Sequence, residues 1–217
     1  MAQCSLTCFA TMGYNTRVFF RHAGCFINRY EWLVNAIELG GNCCGERPHK
    51  EAARPMTLAD FTSLNLMIPA LAGPDAPSVI QELSQALEQD QRIPELLPFY
   101  HAALNREYLA GTEMGAGMAF PHARLTTLPE VCFALGRSAA PLAWGPHAVR
   151  PVRLVFLLAV PATDATQYLL LISGLARLGN DEKLVAQLHA ARDPEGLLAV
   201  LRQVELRTLP AAGAGRK

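Results

Sequence analysis

Apolar residues recur every three or four positions in the middle of the chain, a spacing that predicts amphipathic helices. The first helix is expected to begin at Ser78, with Asp75 or Ser78 as its N-cap. Its apolar face consists of Val79, Ile80, Leu83, Ala86 and Leu87. The second is expected over about residues 94–109, because Pro98 falls in its first turn and Gly111 can end it.

Runs of consecutive apolar residues predict strands that are buried on both faces. Residues 131–136 and 152–160 are two such runs, and residues 65–68 form a shorter candidate before Pro69. The segment 138–149 contains proline, glycine and tryptophan and is predicted to be a loop.

Three helices are predicted at the end of the regular pattern. They span about residues 165–178, 181–190 and 194–202, and Asp193 and Pro194 are the N-cap and first residue of the last. Helices therefore both precede and follow the main strands. This order predicts an α+β fold, a three-layer α/β/α sandwich in which helices flank a mixed β-sheet.

Composition and charge exclude several classes of protein. The 217 residues are 51% hydrophobic and 18% charged, which excludes a disordered or fibrous chain. Because 19 Lys and Arg balance 19 Asp and Glu, no bulk field favours nucleic acid or an anionic membrane. The longest apolar run, residues 154–161, is too short for a transmembrane helix of about 20 residues. No leader pattern opens the sequence, so we expect a soluble, cytoplasmic protein without membrane insertion.

Residues 1–55 differ from the rest because their apolar positions follow neither the helix nor the strand period. They contain Cys4, Cys8, His22, Cys25, Cys43, Cys44 and His49. No Cys-x2-Cys pair occurs among them, so no metal site is predicted. We expect residues 1–55 to be an extension outside the fold, consistent with a start assigned too far upstream. The domain is expected over residues 56–209, with Cys132 in its core, and a disordered tail over residues 210–217.

His122 is the residue whose surroundings indicate chemistry. It follows a stretch that contains Gly115 and Gly117, and Pro121 directly precedes it. Proline fixes the chain direction, and glycine allows a partner to approach closely. Neutral imidazole is a competent nucleophile near pH 7. Without this surrounding stretch, His122 would be interpreted as an ordinary histidine at the end of a strand.

The stretch from residue 112 to residue 124 reads T-E-M-G-A-G-M-A-F-P-H-A-R. It resembles the active-site segment of enzyme IIA of the bacterial phosphoenolpyruvate-dependent sugar phosphotransferase system (PTS). The similarity is to the fructose, mannitol and nitrogen-regulatory type, PTS EIIA type 2, whose pattern is approximately T-G-I-G-N-G-I-A-I-P-H-A-R. Arg106 stands sixteen residues before His122, as does the arginine of the family's Arg-Glu pair. Residues 134–138 and 152–161 resemble its strands, so the resemblance covers about residues 56–205.

The resemblance implies a phosphotransferase that carries its phosphoryl group on His122. Arg106 would stabilise the phosphoryl charge, since a guanidinium offers fixed donors and keeps its proton. Gly115, Gly117 and Pro121 would shape the site. No metal or organic cofactor is implied.

The family's partners and their docking surface are implied in the same way. The phosphocarrier protein HPr would phosphorylate the domain, and an enzyme IIB component would receive the group during sugar uptake. Met118, Phe120 and Ala123 are expected to form an apolar docking patch. No nucleic-acid partner is implied, and the sugar cannot be identified because specificity lies in the family's membrane component.

Two departures from the family pattern favour an alternative. Tyr168 stands 46 residues after His122, where the family carries a second histidine, and a phenol cannot become cationic. Glu113 replaces a glycine. The alternative is a nitrogen-regulatory type of EIIA, or a binding module with impaired chemistry, that regulates a transporter, kinase or channel. The other histidines of this part, His101, His147 and His189, are predicted to lie on the surface or in a loop.

Overall fold

A six-stranded mixed sheet forms the centre of the computed structural model, which describes residues 54–145 and 150–206. Its strands are β1 (Met67–Ile68), β2 (Glu113–Met114), β3 (Met118–Ala119), β4 (His122–Leu125), β5 (Cys132–Leu142) and β6 (Val152–Pro161). The sheet order is β1–β5–β6–β3–β2, and β4 also pairs with β6. β5 is antiparallel to β6, whereas β3 and β4 run parallel to it.

Five helices accompany the sheet within the described residues. They are α1 (Ala76–Gln89), α2 (Leu96–Leu109), α3 (Ala165–Asn180), α4 (Glu182–Ala190) and α5 (Pro194–Leu201). α1 packs against α2 and β5, α2 packs along β4, and α3, α4 and α5 pack in succession. The predicted α+β sandwich with a mixed sheet is confirmed. None of these helices combines the length and apolar character that a membrane-spanning segment needs.

Aspartate caps fix where α1 and α5 begin. The Asp75 carboxylate accepts a hydrogen bond from the Ser78 backbone N–H at 2.9 Å, so α1 begins at Ala76, two residues before its predicted start. Asp193 accepts from the Gly196 N–H at 2.6 Å and caps α5 as predicted. In both helices proline occupies the first turn, where its missing N–H costs nothing.

β5 is longer than the apolar run that predicts it. The strand continues past Arg137 into the segment that begins at Ser138, where a loop is predicted, and Leu142 still pairs with Val152. Its pairing with β6 is irregular between Arg137 and Leu142, and Pro141 falls in this interval. A proline does not disrupt the sheet where no ladder hydrogen bond is made, which explains why it does not end the strand.

The predicted strand over residues 65–68 is only partly present. Met67–Ile68 pairs with Leu135 and Gly136 of β5, whereas Leu64–Leu66 forms a single 3-10 turn.

The core is centred on aromatic rings from neighbouring strands. The Phe156 ring lies 5.2 Å from that of Phe120 and 5.9 Å from that of Phe133, measured between centroids. Cys132 is buried as predicted, and burial raises the pKa of its thiol to about 12. The thiol is therefore protonated at neutral pH and belongs to the core.

The beginning and end of the described fold meet. The Met56 carbonyl accepts a hydrogen bond from the Leu206 N–H at 2.6 Å, and the Leu58 N–H donates to the Val204 carbonyl at 3.1 Å. Apart from residues 54 and 55, the predicted extension lies outside the described residues, as do His147 and the predicted tail. We propose that the folded domain begins at Met56 and ends near residue 209.

A chain shortened to begin at Met56 is expected to unfold at the same temperature as the full chain, within about 2 °C. The contact between Met56 and Leu206 is retained in it. Thermal unfolding followed by circular dichroism checks this. A marked fall in the melting temperature would show that residues 1–55 stabilise the domain.

Candidate functional site

His122 lies at an interruption in the strand that pairs with β6. β3 pairs with Leu154 and Val155, and β4 resumes the pairing at Leu158. Pro121 separates the two because it has no N–H to donate, although its carbonyl accepts from the Leu158 N–H at 2.9 Å. His122 is the first residue after this break and is half-buried.

A backbone contact determines which ring nitrogen of His122 carries the proton. Nδ1 lies 3.1 Å from the Phe120 carbonyl oxygen. Because a carbonyl only accepts, Nδ1 donates and Nε2 keeps its lone pair in the neutral ring. The available nucleophile is therefore Nε2.

The imidazole lines a cavity of about 380 Å³ at one edge of the sheet. The cavity is walled by the helices α2 and α3, by the strand β4 and by Val160 near the end of β6. Its lining residues are Ala102, Arg106, His122, Ala123, Arg124, Val160 and Tyr168. The structure thus brings together three of the predicted site residues, His122, Arg106 and Tyr168.

Arg106 reaches the cavity from the last turn of α2. Its Nη1 donates to the carbonyl of Ala110 at 2.8 Å, which fixes the side chain at the end of its own helix. A guanidinium has five N–H donors, so the others stay available for an anion. No ion pair joins Arg106 to a carboxylate of the described chain.

Arg124 is a second guanidinium in this cavity, and the sequence analysis did not select it. Its Nη2 donates to the carbonyl of Ala162 at 2.7 Å. The signal that could have found it is the strand period, because residues two apart on β4 lie on the same face. His122 and Arg124 are such a pair.

Tyr168 lies beside the imidazole. The two ring centroids are 6.2 Å apart and the planes are inclined by 41°. The residue lies in the first turns of α3 and is half-buried. This placement is compatible with the position that the resemblance assigns to a second histidine.

The two glycines lie away from the cavity, in the turn between β2 and β3. Gly117 has φ +68°, and a Cβ there would lie 3.3 Å from the Pro151 carbonyl, so both conformation and space favour glycine. Glu113 lines a different cavity, next to Trp144. Pro121 is buried at the strand break.

The predicted apolar docking patch is wrong. Met118, Phe120 and Ala123 are no more than 5% exposed. Met118 packs beneath Gly179 of α3, where an added Cβ would lie 2.6 Å from the Met118 methyl carbon, Cε. The sequence of this run predicts an accessible strand end, but the structure buries its side chains.

A buried carboxylate connects α2 to the segment that precedes β2. Glu107 accepts hydrogen bonds from the Thr112 N–H at 2.8 Å, from the Thr112 hydroxyl, and from Trp144 Nε1 at 2.8 Å. The residue is 6% exposed. A buried carboxylate that accepts three bonds fixes its donors firmly.

Glu107→Gln is expected to lower the free energy of unfolding by about 1–3 kcal/mol. The amide oxygen can keep the two N–H donors and the amide nitrogen can face the Thr112 hydroxyl, so the cost comes from replacing charge-assisted hydrogen bonds by neutral ones. Urea unfolding of the variant measures the change, and Glu95→Gln, an exposed carboxylate at the start of α2, is the matched control. Equal stability of both variants would show that the Glu107 hydrogen bonds contribute nothing net.

Comparison with known proteins shows the family to which this chain belongs. The family model of the phosphoenolpyruvate-dependent sugar phosphotransferase system, EIIA 2, matches residues 61–204. The chain belongs to this family. The resemblance inferred from residues 112–124 is confirmed, and the match covers both the helix that carries Arg106 and the helix that carries Tyr168.

Similar proteins include nitrogen regulatory proteins and sugar-specific PTS components. A nitrogen regulatory protein of Bradyrhizobium diazoefficiens is 30% identical over 150 residues, which cover 67% of this chain and 95% of that protein. The 2-O-alpha-mannosyl-D-glycerate-specific EIIABC component of Escherichia coli is 33% identical over 127 residues, 56% of this chain but 19% of that protein. The crystal structure of nitrogen regulatory protein IIA-Ntr from Neisseria meningitidis has the same fold. Its TM-score is 0.58 at 22% identity, and the alignment covers 66% of this chain and 98% of that one.

Membership assigns the protein to the phosphotransfer components of the PTS. The geometry is compatible with that chemistry, since a nucleophilic nitrogen and two guanidinium groups line one cavity. Within the described ranges, no group of three or more His, Cys, Asp or Glu side chains is placed to hold a metal ion.

Proposed function

We propose that this protein is a phosphocarrier whose Nε2 of His122 accepts and passes on a phosphoryl group. The hydrogen bond from Nδ1 to the Phe120 carbonyl carries this proposal, because it leaves Nε2 as the nitrogen with a free lone pair. That lone pair attacks phosphorus while the phosphorus–nitrogen bond of the donor's phosphohistidine breaks. The donor imidazole leaves with the electron pair, and no other reactant is required.

The two arginines of the cavity supply the positive charge that the transfer requires. Negative charge spreads over the three equatorial oxygens of the transferring group, and fixed cationic donors stabilise it. Arg106 and Arg124 are each held by a backbone carbonyl, so little reorganisation is needed when the phosphoryl group arrives. The phenol of Tyr168 can add one hydrogen bond without charge.

HPr is the donor that we propose, and an enzyme IIB component is the acceptor, with sugar uptake as the process served. The EIIABC name of the Escherichia coli relative supports the acceptor, because it joins components A, B and C in one protein. With the predicted apolar patch buried, the exposed side chain of Leu169, next to Tyr168, is an apolar contact available beside the cavity.

Regulation is the second candidate function. The alignment with the nitrogen regulatory protein of Bradyrhizobium diazoefficiens covers 95% of that protein. This match favours a regulatory role in which the phosphorylated and unphosphorylated forms act differently. In that case His122 carries the same chemistry, and the target is a transporter, kinase or channel rather than an enzyme IIB component.

An assay in two steps, phosphorylation by HPr followed by transfer to an enzyme IIB domain, tests these two functions. The full chain is incubated with phosphoenolpyruvate, enzyme I and HPr, and its intact mass is measured at neutral or basic pH, where phosphohistidine survives. We expect a gain of one phosphoryl group. Loss of that group on addition of an enzyme IIB domain supports sugar uptake. Retention of the group alongside several IIB domains favours regulation, and no gain from competent donors contradicts the carrier function.

Tyr168→His is expected to accept the phosphoryl group at least as fast as the wild-type protein, because an imidazolium can stabilise the charge that a phenol cannot. Tyr168→Phe keeps the ring and loses the hydroxyl, so its transfer is expected to slow by up to about tenfold. Stopped-time transfer from phosphorylated HPr measures both rates. Wild-type transfer in Tyr168→Phe, with a large loss of stability in Tyr168→His, would make Tyr168 a packing residue only.

A further inference from the structure

Arg137 of β5 is a buried cation that forms no ion pair with a carboxylate of residues 54–145 and 150–206. The residue is 8% exposed, and its Nε has no hydrogen-bond partner. None of the ion pairs between described residues involves it. Burying a guanidinium is costly unless a charge or an acceptor compensates it.

A second arginine, Arg153, lies on β6 next to the residue that pairs with Arg137. The N–H groups of Arg153 and Leu154 both donate to the carbonyl of Gly117, at 2.8 and 3.1 Å, which is the geometry of a β-bulge in β6. A bulge places two consecutive side chains on one side of a strand. Leu154 lies directly opposite Arg137 in the register, so Arg153 directly precedes the cross-strand partner of Arg137.

His189 completes a cationic cluster from the other side. It lies in the last turn of α4 and is half-buried, although the sequence predicts a surface position. Burial lowers the pKa of His189, and the charges of Arg153 and Arg137 lower it further, while a hydrogen bond to the backbone of Ala116 acts in the opposite direction. His189 is therefore within electrostatic range of both arginines.

This cluster is separate from the cavity of His122. On β6, Leu154 pairs with Arg137, and Leu158 pairs with His122 four residues later. At about 3.3 Å per residue the two places are about 13 Å apart along the strand. A further cation lies nearby, since Nη1 of Arg150 would be 3.9 Å from a Cβ at Gly115.

We propose that Arg137, Arg153 and His189 form a binding site for the phosphate group of a small phosphorylated molecule. Paired guanidinium groups match the oxygens of a phosphate, and a protonated histidine adds a third donor. The site does not depend on phosphorylation of His122. Ligand bound there would contact the side chains around the turn between β2 and β3, the hairpin that leads to His122.

Titration with inorganic phosphate tests the site in the full chain. The protein carries Arg106→Gln and Arg124→Gln so that the His122 cavity does not compete. The Nε–H resonance of Arg137 reports binding in proton–nitrogen spectra. We expect a saturable shift, and Arg153→Gln, a change at an exposed position, is expected to weaken binding at least about tenfold. Arg202→Gln, an exposed arginine after α5, is the matched control and should bind as before.

Sulfate separates the protein's titration from that of the ligand, because sulfate stays doubly charged between about pH 5.5 and 7.5. The charges of Arg137 on β5 and Arg153 on β6 lower the pKa of His189. A bound dianion offsets these charges and therefore favours the protonated form of His189. Sulfate is therefore expected to bind more tightly as the pH falls, and His189→Gln should remove this dependence. Arg137→Gln is the companion variant. If this substitution in the interior prevents folding, the result with Arg153→Gln decides whether the site exists.

Three results would overturn the proposal. Phosphate binding that is equal in Arg153→Gln and Arg202→Gln would show general screening of charge. Absence of any saturable shift of the Arg137 Nε–H would show that the cluster binds no oxyanion. An oligoglutamate peptide that binds where phosphate does not, with the same dependence on Arg153, would assign the cluster to an acidic protein segment instead.

Discussion

His122→Ala is expected to abolish phosphoryl acceptance while the fold stays intact. The substitution removes the only proposed nucleophile, so the rate of mass gain from phosphorylated HPr should fall below detection. Among the residues that the structure describes, the side chain makes one backbone hydrogen bond, to Phe120, and one ring contact, to Tyr168, so the free energy of unfolding should change by about 1 kcal/mol. Intact mass and urea unfolding of the same preparation measure the two effects.

His101→Ala is the matched control for this experiment. His101 is exposed on α2, and its ring contacts Tyr100 rather than the cavity residues. Its loss should leave transfer unchanged. Retained labelling in His122→Ala would contradict the site, and loss of labelling in both variants would point to a damaged docking surface.

Arg106→Gln is expected to slow phosphoryl transfer by about 10²–10³-fold, the usual cost of losing one fixed donor to the transition-state charge. Glutamine can still form a hydrogen bond but carries no charge. Because Arg106 is exposed and, within the described part of the chain, its side chain bonds to the Ala110 carbonyl alone, stability should change little. Rapid-quench transfer from phosphorylated HPr measures the rate, and circular dichroism measures the fold.

Two further variants make the Arg106 result interpretable. Arg106→Lys keeps the charge but loses the planar pair of donors, so its rate should lie between those of the wild type and Arg106→Gln. Arg124→Gln shows how the cavity divides the charge between its two guanidinium groups. Transfer at the wild-type rate in Arg106→Gln would mean that Arg106 is an ordinary surface residue of α2.

The fold was largely predictable because its elements follow simple periods. The apolar face of α1 and the buried run of β6 carry the helical and strand signals, and Asp193 followed by Pro194 marks the start of α5. The end of β5 was not predictable from local sequence. Its continuation past Arg137 depends on pairing with β6, and a pattern along one strand does not contain its partner.

The candidate site was predictable in part for similar reasons. A motif of consecutive residues marked His122, and a fixed spacing marked Arg106. Arg124 could have been found from the strand period, whereas the burial of Met118 and Phe120 depends on packing against distant elements. The carbonyl that Arg153 and Leu154 share, and the buried Nε of Arg137 with no acceptor among the described residues, exist only in three dimensions.

The central claim is that the phosphoryl group resides on Nε2 of His122, and one measurement addresses it directly. The full chain is prepared with nitrogen-15 in its histidines, phosphorylated through HPr, and observed by long-range proton–nitrogen correlation. The account predicts one altered imidazole, that of His122, with phosphorus coupled to Nε2 and the proton kept on Nδ1 beside the Phe120 carbonyl. Phosphorus on Nδ1, or on any other histidine of the chain, would contradict it.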